Sequence, residues 1–162
     1  MSFLRLRTVC SIAVLSMYVG SAAAAVDLNE PIRFERDLKV GKLANGLTYY
    51  IKRNARPEKQ LEMQLVLKAG SIVEDDDQQG LAHFVEHMGF KGSANFKKHE
   101  LISYMQSIGV RWGADVNAHT SYDETVYQLT VPTSKQEYVD KGFLVLSDWA
   151  QGMSFDPDAI DA

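Results

Sequence analysis

The sequence has a single cysteine, Cys10, in 162 residues. That excludes an intramolecular disulfide and any zinc site built on several thiolates. Long apolar runs are also missing. No segment reaches the roughly 18–20 consecutive apolar residues of a membrane-spanning helix. Positive charge is short, with 17 Lys+Arg against 21 Asp+Glu and a net charge of −4. A chain of that balance lacks the basic face that phosphate binding needs, so nucleic acid is not an expected partner. No internal repeat or low-complexity tract interrupts the sequence. What is present is ordinary for a globular fold: 46% hydrophobic, 23% charged and 10% aromatic residues. The length suits one domain with a tail.

The N-terminus combines Arg5 and Arg7 with an apolar run from Val9 to Val19 and a small-residue end, Ala22 to Ala25. This order is that of a secretory signal peptide, assigned to residues 1–25. The run is too short to anchor the chain in a bilayer. Cleavage would remove Cys10 and both arginines, taking the net charge from −4 to −6. Residues 26–162 would then be an exported, cysteine-free domain, periplasmic or secreted, with no stable membrane anchor.

Within that domain the patterning alternates between strands and helices. Leu38–Leu43 and Leu47–Lys52 flank Asn45-Gly46, a hairpin turn signal. Leu61–Ala69 alternates Leu61, Met63, Leu65 and Leu67 with polar residues, as a half-buried strand does. An acidic loop, Glu74–Asp77, precedes a helix over Gly80–Phe90, and its Asp run favours the positive end of that helix. A second helix spans His99–Ile108 and is closed by Gly109. Strands are expected at Ala114–Ser121 and Thr125–Val131. A long helix is expected at Lys135–Met153, with Tyr138, Phe143, Leu146 and Trp149 on its apolar side. The segment from Phe155 leads into another helix, with Asp156 or Asp158 near its N-cap. This order fits an α+β sandwich with helices on one face of a largely antiparallel sheet.

The chemistry concentrates in His83-Phe-Val-Glu86-His87. On a helix advancing about 100° per residue, His87 lies at about +40° and Glu86 at about −60° from His83. Two imidazoles and a carboxylate therefore share one face. Leu81, Val85 and Met88 fall at about 140–200°, on the face expected to be buried. Histidines at i and i+4 can bind one Zn²⁺ from consecutive turns, and Glu86 is placed to take a proton from water as general base. His-x-x-Glu-His is the inverted zinc-hydrolase pattern. His119 has no ligand spacing, and His99 reads as a solvated residue at a helix start.

The stretch Gly80-Leu-Ala-His83-Phe-Val-Glu86-His87-Met-Gly-Phe90-Lys-Gly92-Ser resembles the zinc-binding helix of the M16 (pitrilysin/insulinase-like) metallopeptidases. Asn45-Gly46-Leu47, Ala69-Gly70-Ser71, Asn117-Ala118-His119-Thr120-Ser121 and Thr125-Val126-Tyr127 resemble further segments of that family. The resemblance covers nearly all of residues 38–162. It implies a LuxS/MPP-like metallohydrolase sandwich, Zn²⁺ as cofactor, His83 and His87 as ligands and Glu86 as catalytic base. It also implies an edge strand at Asn117, Ala118 and Thr120, to which an extended peptide or unfolded protein substrate adds by backbone pairing.

A catalytic zinc has three protein ligands and a water. The family's third ligand is a Glu on a later helix, which by this resemblance falls just past Ala162. Asp161 is nearest, one methylene shorter. The sequence therefore reads as the N-terminal portion of an exported zinc endopeptidase, truncated C-terminally before its third ligand. Further M16-type domains, in the same chain or in a partner subunit, would complete it. Read alone, the chain is a catalytically incompetent fragment or a non-catalytic module of that fold.

Overall fold

The computed structural model describes residues 33–161. The assigned leader and Cys10 lie outside them. The chain divides into two compact units, Met1–Lys52 and Arg53–Ala162.

In the first unit, strands β1 (Lys39–Lys42) and β2 (Thr48–Ile51) pair antiparallel, with Val40 opposite Tyr50. The turn forms where Asn45-Gly46 predicts it. Gly46 N–H donates to Leu43 O at 2.9 Å, and the Asn45 side-chain oxygen accepts from Leu47 N–H at 3.1 Å. Lys52 pairs with Glu35 across the same unit.

The second unit is built on strands β3 (Gln60–Leu67), β4 (Val116–Thr120) and β5 (Thr125–Pro132), in the antiparallel order β3-β5-β4. The period-2 reading of β3 holds. Met63 is buried and Leu61, Leu65 and Leu67 face the same core. On the central strand, Tyr127, Leu129 and Val131 point to that face. Helices α1 (Leu81–Met88), α2 (Glu100–Ser107), α3 (Gln136–Gln151) and α4 (Pro157–Ile160) complete the unit. Asp156 caps α4, its side chain accepting from Asp158 N–H at 3.0 Å. Helix α1 contacts β4 and β5, while α3 contacts β3 and β5, over the apolar face of the sheet. The expected α+β arrangement is thus observed.

Two helical faces differ from expectation. On α3, Phe143 is exposed, and the inward stripe is Gly142, Val145, Asp148 and Trp149. Phe143 lies about 140° from Tyr138 on the helical wheel, outside the stripe that contains Trp149. A small residue is needed at the centre of this face, because a Cβ at Gly142 would come within 2.6 Å of Met63 Cε. On α1, Leu81 and Val85 are exposed and only Met88 of the expected apolar face is buried. The side turned to the sheet carries Ala82, Glu86 and Gly89 instead. A Cβ at Gly89 would sit 2.8 Å from Tyr127 Cε1, so close approach, not apolar bulk, decides the orientation of α1.

Helix α3 also ties down the far end of α1. Tyr127 and Trp149 stack with ring centroids 5.1 Å apart, and Phe90 meets Trp149 edge-on at 5.6 Å. The Trp149 indole N–H donates to Gly89 O at 3.0 Å. Asp148, 4% exposed, accepts from Ser93 Oγ at 2.5 Å and from the Asn95 backbone and side-chain amides at 3.0 and 2.7 Å. These bonds fix the loop that follows α1.

Replacing Asp148 by Ala removes the buried acceptor shared by the half-buried Ser93 hydroxyl and the Asn95 amides. The expected cost is about 1–2 kcal/mol in chemical denaturation, and a loss below about 0.5 kcal/mol would contradict the clamp. A pH test applies to the loop before β4. Arg111 holds Asp115 through a two-pronged contact at 2.7 and 2.8 Å and depresses its carboxyl to about 2. A depressed carboxyl stabilises the fold above its unfolded value and loses that effect as the pH falls. Asp115→Asn should therefore lower the Tm at pH 7, and the gap from the parent should close between about pH 4 and pH 2 in a thermal melt series.

Candidate metal centre

Helix α1 begins without a side-chain cap of its own, since Gly80 occupies that position. Glu74 supplies the cap from the acidic loop. Its two carboxylate oxygens accept Gly80 N–H at 2.8 Å and Ala82 N–H at 2.7 Å. A carboxylate there satisfies two orphan donors and meets the positive end of the helix dipole. The Asp run expected to favour this helix end makes neither of these bonds; Glu74, immediately before it, makes both.

The first helical turns then place the three functional side chains. His83 Nε2 and His87 Nε2 lie 3.0 Å apart, with their rings edge-on. Two nitrogens held about 2.0–2.1 Å from one tetrahedral zinc would be about 3.3–3.4 Å apart. The observed separation differs from that by a few tenths of an ångström, so a small rotation of the rings would let the pair share a single metal ion. Glu86 brings Oε2 to 3.8 Å from His83 Nε2. Ligand atoms of all three residues lie within 4.8 Å of one another, the one such group among the described residues.

Their surroundings differ. The His83 side chain is 67% exposed and that of Glu86 only 9%. The imidazoles therefore face outward while the carboxylate dips towards the sheet. There Glu86 Oε2 accepts a hydrogen bond from Thr120 Oγ1 at 3.1 Å. Thr125 stands directly opposite Thr120 in the β4–β5 register, and its hydroxyl donates to Ala69 O at 2.9 Å. Burial, and then the negative charge of Glu86, push the Tyr127 phenol well above its ordinary range, so it stays protonated beside the site. A cavity of about 340 Å³ opens next to the imidazoles, walled by Phe84 and Met88 from α1 and by Ala159 and Ile160 around α4.

The remaining sequence-predicted residues are distributed as follows. Asn117 is exposed, Ala118 packs against the core, and Thr120 reaches Glu86. Among the described residues β4 has β5 as its one strand neighbour, apart from a single bridge between Val116 and Trp112, so it lies at the edge of the three-stranded sheet. His99 is exposed immediately before α2, and His119 is exposed on β4. Asp161 does not join the group around His83. Sequence reasoning missed Glu74 as a cap, Thr120 as a partner of Glu86, and the clamp from Asp148 and Trp149. The Thr pair could have been found, since a tight 120–125 hairpin places them opposite each other. Asp148 left no signal, because nothing local links it to Ser93.

Comparison with known proteins agrees with this geometry. The family model described as insulinase (peptidase family M16) matches residues 49–162. A relative from Haemophilus influenzae described as a probable zinc protease, PqqL, is 36% identical over 133 residues, which are 82% of this chain and 14% of that protein. The crystal structure of the periplasmic protease PqqL from Escherichia coli superposes with a TM-score of 0.77 at 38% identity, over 80% of this chain and 14% of that one. The ferredoxin protease FusC, solved with Arabidopsis ferredoxin, matches with a TM-score of 0.67 at 28% identity, over 76% of this chain and 14% of that one. The chain thus spans about a seventh of the length of these relatives. With the motif helix, its sheet and the match over most of the sequence in agreement, the chain belongs to the M16, or insulinase, family of zinc metallopeptidases.

Proposed function

We propose that this chain carries the metal-binding end of an exported M16 zinc endopeptidase that acts on peptides or unfolded polypeptides. The observation that carries the reading is the convergence of His83 Nε2 and His87 Nε2 to 3.0 Å beside a buried Glu86 carboxylate. His83 and His87 would hold the zinc ion. The chemistry that such an ion supplies is Lewis acidity, which brings the pKa of water to about 7 and polarises a carbonyl. Glu86 takes the proton of the attacking water and returns it to the leaving amide nitrogen. The exposed edge of β4, at Asn117, Ala118 and Thr120, receives the substrate backbone as an added strand. Backbone pairing is indifferent to most side chains, which suits a peptide or unfolded substrate.

A third protein ligand would come from outside these residues. Ala159 and Ile160 line the same cavity as both imidazoles, which supports a ligand contributed from that side. Further M16-type domains, or a partner subunit, would enclose the substrate. Export is supported by the apolar leader and by the periplasmic relative. Among the described residues no helix is long and apolar enough to cross a membrane.

Three measurements test the reading. Zinc titration of the 162-residue chain should show one weak site that dialysis empties, and His83→Ala or His87→Ala should abolish it. Stoichiometric zinc that survives dialysis would mean the site is already complete. In the peptide-cleaving enzyme, Glu86→Gln should lower kcat by about 10²–10⁴-fold while leaving zinc bound, and a chelator should stop turnover. Retained turnover in that variant would remove Glu86 as the base. Intact-mass analysis of the exported protein should place its first residue between Ala24 and Val26, and an uncleaved leader would refute the export assignment.

A further inference from the structure

We propose that Thr120 is a positioning residue for Glu86: its hydroxyl orients the carboxylate that the reading above assigns as general base. The inference rests on that reading for its catalytic meaning, and on the geometry of β4 for its content.

Thr120 Oγ1 lies 3.1 Å from Glu86 Oε2. A hydroxyl has one proton to give, and two acceptors compete for it. The second is Thr125 Oγ1, at 3.4 Å. That contact is longer and its acceptor is neutral, whereas a bond to a carboxylate is charge-assisted and about twice as strong. The proton of Thr125 is already committed to Ala69 O at 2.9 Å. The hydrogen-bond direction is thereby settled: Thr120 donates to Glu86.

This bond matters because little else restrains the carboxylate. The terminal torsion of a Glu is broad and roughly two-fold, so an unrestrained carboxylate rotates. Among the described residues no protein group donates to Glu86 Oε1. The oxygen that Thr120 holds, Oε2, is also the one turned to the imidazoles, 3.8 Å from His83 Nε2, so this bond sets how the carboxylate faces the metal site. Thr120 is well suited to fix it. Its β-branched side chain is stiff at χ1, and its backbone is held in register against Thr125. The proposal also places the orienting group on β4, the strand proposed to receive substrate. The Thr120 backbone can pair with a peptide while its hydroxyl, on the core face, holds the base.

The test compares Thr120→Val, which keeps the shape and removes the hydroxyl, with Thr120→Ser, which keeps the hydroxyl. In the zinc-loaded, peptide-cleaving enzyme, Thr120→Val should lower kcat by about 10–100-fold, as a misplaced catalytic group does. KM should stay within about twofold, and Thr120→Ser should restore most of the rate. Added to Glu86→Gln, Thr120→Val should cost nothing further. A second readout is independent of turnover. In thermal melts of the 162-residue chain, Thr120→Val should lower the Tm, and the drop should disappear in a Glu86→Met background. Full kcat in Thr120→Val, or equal Tm shifts in both backgrounds, would overturn the inference. If Glu86→Gln itself stays active, the assignment of the base fails instead, and the melts still decide whether the bond exists.

Discussion

The site depends on how closely α1 approaches the sheet. The approach is closest at Gly89, where a single Cβ would already collide with the ring of Tyr127, and Glu86 is buried on the same side of the helix. Because that side of the helix is small, the helix axis lies near the strands. Glu86 therefore becomes a buried residue within reach of Thr120. Histidines one turn apart on the next sector of the helix then have to point outward. One close contact thus decides which of the three motif side chains is dry and which two are accessible.

Burying a carboxylate is costly unless hydrogen bonds or positive charge offset the lost water. Here the sheet supplies a hydroxyl from Thr120, and on the outer side two imidazole nitrogens converge where a bound metal ion would add positive charge. The donor set suits a dication, since a positive ion there would be attracted to the same carboxylate that the fold has taken from solvent. The suppressed ionisation of the Tyr127 phenol has the same origin, because its burial and the Glu86 charge both disfavour a second anion. Electrostatics and packing therefore select the same arrangement of α1.

Much of this was legible in the sequence, and the limits have physical causes. The strands were readable because each buries one face, so Leu61, Met63, Leu65 and Leu67 mark β3 by alternation alone. The motif was readable because helical spacing fixes angles: His83, Glu86 and His87 had to share a sector. What spacing could not decide was which sector met the core. Leu81 and Val85 looked like the inward face by hydrophobicity, yet both are exposed. Phe143 on α3 misled in the same way, since the inward stripe is centred on Gly142 and Trp149. In both helices a glycine marked the true contact, and a glycine carries no hydrophobic signal. Long-range polar contacts were the other loss. Asp148 meets residues 53 and 55 positions away, and no local pattern encodes such a bond.

The division between the two ends of α1 explains why so short a segment can hold a chemical site in place. Glu74 satisfies amides at the first turn, and Trp149 binds the carbonyl of Gly89 at the last. An eight-residue helix is too short to be stable by itself in water. Its register must come from outside, and these contacts supply it from the preceding loop and from the distant helix α3. Between the pinned ends, the side chains of His83 and His87 need only rotate, and Glu86 is met from below by β4. Rotation of α1 by one residue, about 100°, would bring a larger side chain against Tyr127 and withdraw Glu86 from Thr120. Packing therefore resists the displacement that would disorder the chemistry. In this fold the ordinary work of stability and the placement of the base are performed by the same contacts.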